Sequence, residues 1–268
     1  MKGSLENFAL EIKKEILNVS FSAQVGHIGS ALSIADVIAV LYWGHLRVFP
    51  RDPLNEKRDR FVLSKGHAVC ALYAALYLRR FISRKQLYSY CKNGTLLGSH
   101  PDHFLPGIEV STGSLGHGLA VGCGMALAGK LNKKNYKVFV LISDAECDEG
   151  AIWESALFAS QHKLDNLTII VDYNKVQAFG TTKEILDLEP FVLKWKSFGC
   201  EVVEVDGHNL QEIKNALNSK GEFNKPKVVL AHTVRGKGVS FMEGKMQWHY
   251  LTVDKKQLAK ALREIIKK

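Results

Sequence analysis

Two short apolar runs, each followed at once by oxygen-bearing side chains, constrain the fold of this chain most strongly. The first, Val138 to Ile142, leads into Asp144, and the second, Leu167 to Asp172, leads into Asn174. Continuous β-branched and aliphatic runs of this length are typical of buried parallel strands, whose carboxyl ends meet at one edge of a sheet. The sequence therefore predicts that Asp144 and Asn174 lie close together at such an edge.

These two side chains indicate a site for a divalent metal ion. Asp144 and Asn174 supply one anionic and one neutral oxygen, and the carbonyl of Val176 can supply a third. Mg²⁺ prefers octahedral oxygen ligation and usually completes it with phosphate oxygens and water. We therefore expect Mg²⁺ here, with Ca²⁺ or Mn²⁺ able to take its place. The alternative that stays open is local: Asp144 caps the next helix, and Asn174 only turns the chain.

Strands that alternate with helices predict an α/β fold, with a parallel sheet and helices on both of its faces. In such sheets ligands bind beyond the carboxyl ends of the strands. The predicted strands cover Phe61 to Leu63, Val138 to Ile142, Leu167 to Asp172, Glu201 to Val205 and Val228 to Ala231. The predicted helices cover Leu5 to Ala23, Ser33 to Trp43 with Ser33 as its cap, His67 to Leu78, Leu115 to Leu131, Ala151 to His162, Glu189 to Phe198 and Leu210 to Leu217.

Length and composition fit one domain and argue against several other classes of protein. A chain of 268 residues with 46% hydrophobic residues can bury one good core. The net charge of +9 comes from scattered lysines without a zinc finger or an RNA-binding motif, so we expect no nucleic acid as partner. Five cysteines without a C-x-x-C pair predict reduced thiols in the cytoplasm. No stretch has the length of a signal peptide core or a membrane span, so we expect no membrane association.

Histidines that follow glycine recur along the chain. Glycine lets a loop approach a ligand closely, so Gly-His pairs suit loops that present an imidazole to a cleft. For any one of them the alternative is a histidine satisfied in a turn or in the core. No spacing among the histidines or cysteines suits zinc. The five residues concerned are His27, His45, His67, His117 and His208.

Taken together, these segments resemble the transketolase family, and the resemblance runs from about Leu5 to His249. The metal pair and the intervening Glu149-Gly-Ala-Ile-Trp-Glu154 are similar to the family's thiamine-diphosphate signature. Four other stretches carry the resemblance in the family's order. They are Val25 to Ser30, Arg58 to His67, Leu97 to Pro101 with Val110 to Gly118, and His232 to Phe241 followed by Trp248-His249.

The resemblance implies that the chain binds thiamine diphosphate together with the metal ion. It implies that the ion joins the diphosphate to the ligands Asp144, Asn174 and Val176. The amide of Ala145 is expected to contact the same diphosphate. The backbone around the glycine-rich turn Gly113, Ser114 and Leu115 is expected to contact the aminopyrimidine end of the cofactor.

The resemblance also implies roles for four histidines and one glutamate. His67 and His249 are expected beside the diphosphate and the reacting centre, and His27 and His100 against the hydroxyl groups of the donor ketose. Glu149 is expected at a subunit boundary, linked to the glutamate that activates the aminopyrimidine. The alternative for Glu149 is an acidic residue that only favours the start of a helix.

The implied activity is the transfer of a two-carbon ketol unit from a ketose or ketose phosphate to an aldose acceptor. In the family the activating glutamate sits in a pyrimidine-binding domain, and no matching segment occurs here. We therefore expect residues 1–268 to form a single diphosphate-binding domain, the N-terminal subunit of a split transketolase. The pyrimidine-binding and C-terminal domains are expected on a separate chain, in a heterotetramer that is active only when assembled.

Two other functions stay open, and three departures from the family pattern bear on them. One alternative is a subunit of a decarboxylating thiamine-diphosphate enzyme, and the other is a scaffold subunit without turnover. Ser143 and Ala145 stand where the family usually has glycine, Ile28 replaces a common proline, and His117 replaces a common glutamine. We expect Ala145 to strain its turn, and we interpret the departures as signs of a specialised sugar substrate.

Overall fold

Five parallel strands form the sheet that positions the site, in a computed structural model that describes residues 3–267. Their order across the sheet is β1-β2-β3-β5-β4, and every neighbouring pair is parallel. Each predicted strand is confirmed to within one residue at either end. The strands are β1 (Arg60–Leu63), β2 (Val138–Ser143), β3 (Leu167–Tyr173), β4 (Glu201–Asp206) and β5 (Lys227–His232).

The register of the two central strands brings the predicted metal ligands to one edge. Ser143 at the end of β2 pairs with Asp172 in β3. Beyond this pair, the amide of Asp144 still donates to the carbonyl of Asp172 at 3.3 Å. The carboxyl ends of β2 and β3 therefore deliver Asp144 and Asn174 side by side, as the apolar runs predict.

Helices cover both faces of the sheet, which confirms the predicted fold class. Side chains of β2 alternate between the two core layers, with Phe139 and Leu141 in one and Val140 and Ile142 in the other. This alternation is the two-residue period of a strand that is buried on both faces. The helices are α1 (Leu5–Ala23), α2 (Ile28–Ser33), α3 (Ala35–Val40), α4 (Val69–Leu78), α5 (Arg84–Leu87), α6 (His117–Leu131), α7 (Gly150–Gln161), α8 (Thr182–Ile185), α9 (Phe191–Ser197), α10 (Leu210–Asn218) and α11 (Lys255–Ile266).

The helix predicted from Ser33 to Trp43 is wrong in its start and in its continuity. The chain is already helical from Ile28, breaks at Ile34, and resumes as α3 before a π-helical turn at Leu41–His45. Ser33 does not cap a helix, because its hydroxyl donates instead to Oδ1 of Asp172 at 2.7 Å. A buried carboxylate more than a hundred positions away thus determines where this side chain bonds.

Two short helices were not predicted although both carry a start signal. α5 begins with a capping box formed by Ser83 and Gln86, and α8 begins with one formed by Thr181 and Glu184. Each box satisfies backbone N–H groups that a helix start leaves unpaired. Among residues 3–267, no helix combines the length and the apolar character that crossing a bilayer requires.

Candidate functional site

Hydrogen bonds join the tips of β2 and β3 around Asp144 and Asn174. The buried carboxylate of Asp144 accepts from the amide of Ala145 at 2.8 Å and from the amide of Lys175 at 2.6 Å. Oδ1 of Asn174 accepts from the amide of Val176 at 3.0 Å. Asp144 therefore binds the backbone of the same loop that carries Asn174 and Val176.

The local alternative for these two residues holds, but it leaves room for an ion. Asp144 is the cap of the 3₁₀ helix Ala145–Asp148, and Asn174 closes a turn onto Val176. A carboxylate has about four acceptor positions and a carboxamide oxygen has two, so one backbone bond to each oxygen does not exhaust them.

Ala145 does not strain its turn, so that expectation was wrong. It opens a 3₁₀ helix and has no positive φ, and Asp144 before it has φ −58° and ψ −47°. As a residue of a 3₁₀ helix, Ala145 has right-handed helical angles, which alanine adopts without cost. The amide of Ala145 donates to Asp144, so a contact with a diphosphate would share this hydrogen.

The carbonyl of Val176 lies against a buried guanidinium. Nη2 of Arg235 donates to this carbonyl oxygen at 2.7 Å, and only 4% of the Arg235 surface is exposed. The sequence predicted no role for Arg235 beyond its place in the segment after β5. Its position after a strand end was the available signal, because ligands bind at that edge of the sheet.

A second buried carboxylate, Asp172, lies at the same edge and was also missed. It is 1% exposed and bonds Lys65, Ser33, Thr233 and Asn174. Lys65 is equally buried, so the pair replaces water by mutual contact. Burial opposes the charge of Asp172, but Lys65 and the hydroxyl donors outweigh it and lower the pKa of this carboxyl.

Asp144 differs from Asp172 in its charge environment. Its burial, and next the charge of Asp172, raise the pKa of Asp144 to about 7. Among residues 3–267 no group of three His, Cys, Asp or Glu side chains could hold a metal ion. An ion at Asp144 would thus depend on carboxamide, carbonyl and diphosphate oxygens. Such an oxygen set suits Mg²⁺ and does not suit zinc.

Four of the predicted histidines come together beside these strand tips. The ring of His27 lies 4.9 Å from that of His249, 5.3 Å from that of His67 and 6.3 Å from that of His100, measured between centroids. His67 and His249 are 5.3 Å apart. We call these four residues the histidine cluster.

Local backbone geometry holds His27 in the histidine cluster. Its φ is 68°, a left-handed conformation, and its amide donates to the carbonyl of His249 at 2.8 Å. A side chain on Gly26 would meet the carbonyls of His249 and Tyr250 at 2.9 to 3.0 Å. Glycine at position 26 therefore lets this loop approach the backbone of His249 and Tyr250 closely.

The histidine cluster is neutral near neutral pH. Burial lowers the pKa of all four imidazoles, and the charges of Lys65 and Arg235 lower it further for His27, His67 and His249. For His249 the pKa falls to about 4. Neutral imidazoles can accept and return protons, which suits contact with sugar hydroxyls.

Nδ1 of His27 and the hydroxyl of Ser30, three residues further on, are buried without a hydrogen-bond partner among the described residues. Buried polar groups in proteins are nearly always hydrogen-bonded, so these two atoms are available to a polar ligand beside the histidine cluster. Ser30 lies in the first histidine loop, but the sequence predicted no role for it. These atoms, with the oxygen set around Asp144, fit a polar cofactor and its ion.

The glycine-rich turn packs directly on the histidine cluster. Gly113 has φ +144°, and a side chain there would lie 2.8 Å from Cδ2 of His100. The amide of Gly116 donates to the buried carboxylate of Glu146 at 2.8 Å. Glu146 also accepts from the hydroxyl of Ser64 and thereby ties the turn to β1 and β2. Ser114 is exposed and Leu115 half-buried beside it.

Glu149 lies next to this turn and faces solvent. It stands at the N-cap position of α7 without a side-chain cap bond. A side chain on Gly116 would come within 2.8 Å of its Cβ. The structure thus places Glu149 against the turn, with its carboxylate free to meet another molecule.

A parallel sheet with a buried carboxylate, a carboxamide and neutral histidines at its carboxyl edge is typical of cofactor-dependent α/β enzymes. Residues 13–265 match the family described as the transketolase thiamine diphosphate binding domain. The chain belongs to the transketolase family.

Relatives of two lengths match this chain. It is 44% identical over 254 residues to an apulose-4-phosphate transketolase subunit of Phocaeicola vulgatus, in a match that covers 94% of this chain and 90% of that protein. It is 42% identical over 265 residues to 6-deoxy-6-sulfo-D-fructose transketolase subunit SqwG of a Clostridium species, with 98% and 96% covered. Human transketolase is 34% identical, and the match covers 98% of this chain but 42% of the human protein.

Solved transketolases share the fold. The Campylobacter jejuni transketolase superposes with a TM-score of 0.93 at 29% identity. That match covers 99% of this chain and 43% of the other. The Leishmania mexicana transketolase gives a TM-score of 0.92 at 27% identity. The chain thus spans less than half the length of these full-size enzymes.

Proposed function

We propose that this chain is the diphosphate-binding subunit of a transketolase that moves a two-carbon ketol unit from a ketose to an aldose. One observation carries the proposal: Asp144 and Asn174, the glycine-rich turn and the histidine cluster meet at one edge of the sheet. Membership of the transketolase family supports the interpretation of that edge as the site for thiamine diphosphate.

The strand tips would hold the cofactor through its ion. Asp144, Asn174 and the carbonyl of Val176 would bind Mg²⁺, or Mn²⁺ or Ca²⁺ in its place, and the diphosphate would fill further positions. When bound, the cofactor supplies the electron sink for cleavage of a carbon–carbon bond. The backbone of Gly113, Ser114 and Leu115 would contact its aminopyrimidine, and Glu146 keeps this turn in place.

The histidine cluster would bind the sugar and transfer protons to and from its hydroxyl groups. His27 and His100 would contact hydroxyl groups of the donor ketose, and His67 and His249 would lie beside the diphosphate and the reacting carbon. Because the imidazoles of His27 and His100 are neutral, each can accept a hydroxyl proton and return it. His249 accepts from Arg235 at Nδ1, so it can only donate from Nε2. Arg235 fixes His249 in this arrangement and has no acceptor of its own.

The site would be completed by a second chain that carries the pyrimidine-binding and C-terminal domains. Support comes from the two relatives that are named as transketolase subunits, which match over 90% and 96% of their own lengths. Glu149 is exposed beside the glycine turn, where a glutamate of the second chain could reach it. Next to it, the packed helices α6 and α7 expose Val121, Leu157 and Phe158 by 38%, 55% and 39%. We propose this face as the contact within a heterotetramer.

The substrates would be anionic sugars of a specialised pathway. Two relatives are named for apulose-4-phosphate and 6-deoxy-6-sulfo-D-fructose, which both carry an anionic group. The net charge of +9 would favour the approach of such sugars. All five cysteines are unpaired, which supports a location in the reducing cytoplasm.

Reconstitution tests this function. The purified chain, a candidate partner chain, thiamine diphosphate and Mg²⁺ are combined with a ketose phosphate and an aldose, and ketol transfer is followed by product analysis. We expect transfer from the mixture and none from either chain by itself. Transfer by this chain without a partner would refute the split arrangement. Release of CO₂ from a 2-oxo acid would identify a decarboxylating enzyme instead, and a complex without saturable cofactor binding would identify a scaffold.

A further inference from the structure

Asp172 lies at the tip of β3 with every acceptor position in use. Its Oδ1 accepts from Ser33 at 2.7 Å and from Thr233, and its Oδ2 accepts from Lys65 and from Nδ2 of Asn174 at 2.8 Å. A carboxylate offers about four lone-pair positions. Asp172 therefore has none left for a metal ion, although it stands two residues before a proposed ligand.

The contact with Asp172 decides which way the Asn174 carboxamide faces. A carboxylate only accepts hydrogen bonds, so the atom of Asn174 that meets it must be the donor Nδ2. The opposite atom, Oδ1, is thereby turned toward the loop, where the amide of Val176 donates to it at 3.0 Å. Oδ1 thus faces the loop whose backbone also binds Asp144.

Lys65 allows the carboxylate of Asp172 to stay charged although it is fully buried. Only 1% of the surface of either Lys65 or Asp172 is exposed, and the two side chains form an ion pair. Without that cation, Asp172 would be a second buried anion near Asp144 and would compete with it for a divalent ion. Lys65 instead holds Asp172 as an acceptor for donors of the protein.

We infer that Asp172, neutralised by Lys65, is a positioning residue of the ion site that fixes Asn174 with its oxygen toward the ion. The inference rests on the proposed function, because it requires an ion between Asp144, Asn174 and Val176. Outer partners that orient metal ligands typically change metal affinity about 10- to 100-fold when they are replaced. Asp172 would act at this level, without touching ion or substrate.

A swap of the two side chains tests the inference. The assembled complex with thiamine diphosphate is titrated with Mn²⁺, and free Mn²⁺ is measured by electron paramagnetic resonance. Asp172→Asn should weaken Mn²⁺ binding about 10- to 100-fold, because a carboxamide can present either a donor or an acceptor to Asn174. Asn174→Asp should also weaken it, since two carboxylates would then face each other. The double variant restores one donor and one acceptor, so its loss should be smaller than the product of the single losses.

Thr233→Val is the matched control. It removes a donor from Oδ1 of Asp172 but leaves the contact between Oδ2 and Asn174, so it should lower the thermal midpoint without changing the affinity for Mn²⁺. Normal Mn²⁺ binding by Asp172→Asn, or single losses that simply multiply in the double variant, would overturn the inference. If Asp172→Asn does not fold, recovery in the double variant relative to Asn174→Asp still decides it. A wild-type complex that binds no Mn²⁺ with the cofactor would contradict the proposed function itself.

Discussion

Arg235 donates a hydrogen bond from Nη1 to Nδ1 of His249 at 3.2 Å. Because a guanidinium has only donors, Nδ1 must accept, and the proton of the neutral imidazole lies on Nε2. Arg235 also donates from Nη2 to the carbonyl of Val176. One buried cation thus orders both the loop of the proposed ion site and one ring of the histidine cluster.

Replacement of Arg235 should impair catalysis in proportion to the bonds that are lost. Arg235→Met leaves His249 and Val176 without their donor, and we expect kcat/KM to fall about 100-fold, as displacements of about 1 Å at a reacting centre do. Arg235→Lys keeps the charge but lacks the planar fork, so its loss should be intermediate. Arg58→Lys, at the other end of the sheet, is the control and should match wild type in steady-state kinetics. Equal activity of Arg235→Met and wild type would contradict this role.

Substitutions in the histidine cluster should lower kcat/KM far more than substitution of a nearby histidine outside the cluster. His27→Ala and His100→Ala should each lower kcat/KM for the donor ketose about 100-fold or more, the usual contribution of a proton-transferring side chain. His103→Ala is the control, since His103 is exposed and bonds Ser111 on the same loop. Binding of thiamine diphosphate, followed by intrinsic fluorescence, should remain in all three variants. The assignment fails if the control loses as much activity as the cluster variants.

Glycine at position 113 should be required for cofactor binding. An added methyl group would lie 2.8 Å from the His100 ring and would stand on a backbone with φ +144°. We expect Gly113→Ala to weaken cofactor binding by the assembled complex about 10-fold or more, because about 2 kcal/mol of strain would move the turn whose backbone is proposed to contact the aminopyrimidine. Gly98→Ala is matched, since its methyl group would meet nothing closer than 3.7 Å. Isothermal titration with thiamine diphosphate compares the two, and equal affinities would refute the expectation.

The sheet could be predicted from the sequence because its signal is local. The central strands β2 and β3 are largely apolar and almost fully buried, the pattern expected of strands that are covered on both faces. That Ser33 does not cap a helix could not be predicted in this way, because its hydroxyl bonds to Asp172, which is 139 positions away. Short-range periodicity carries no information on such a partner.

The residues of the candidate site also differ in whether a sequence signal marks them or a partner far along the chain does. Oxygen-bearing residues at strand ends predict Asp144 and Asn174, and the family resemblance predicts the histidine cluster. Lys65 and Arg235 were missed because a cation in the sequence does not reveal its partner, and their partners lie 107 and 59 positions away. Glu146 was missed because the motif gives it no visible role until it meets the amide of Gly116.

A charged side chain introduced on the exposed face of α7 should weaken the binding between the two chains of the proposed complex. Leu157→Glu places a carboxylate on the proposed contact face without touching the sheet edge, and a charge buried in an interface without a partner is strongly unfavourable. We expect the dissociation constant of the complex to rise about 10-fold or more. Leu193→Glu on α9, where the leucine is 58% exposed, is the matched control. Analytical ultracentrifugation measures both, and undiminished assembly of Leu157→Glu would exclude this face.

The histidine cluster should make the stability of the cofactor-free chain depend on pH. Burial, and then the charge of Arg235, lower the pKa of His249 from 6.5 to about 4 in the folded chain. Between these values His249 binds more protons in the unfolded chain than in the folded chain, so its contribution to the free energy of unfolding decreases as the pH falls through this window, while Asp144, whose pKa is raised to about 7, contributes in the opposite direction. His27 and His67 shift in the same direction and steepen the decrease.

Urea unfolding of the chain at about pH 7, about pH 6 and about pH 5 measures this slope. His249→Gln removes one group that gains a proton on unfolding and leaves Asp144 in place, so the free energy of unfolding of the variant should increase relative to that of wild type as the pH falls through this window. The full stability of the neutral ring is present above about pH 6.5, and there the variant should show only its loss of packing. Parallel curves for variant and wild type would mean that His249 titrates alike in both states and is not held neutral by the cluster.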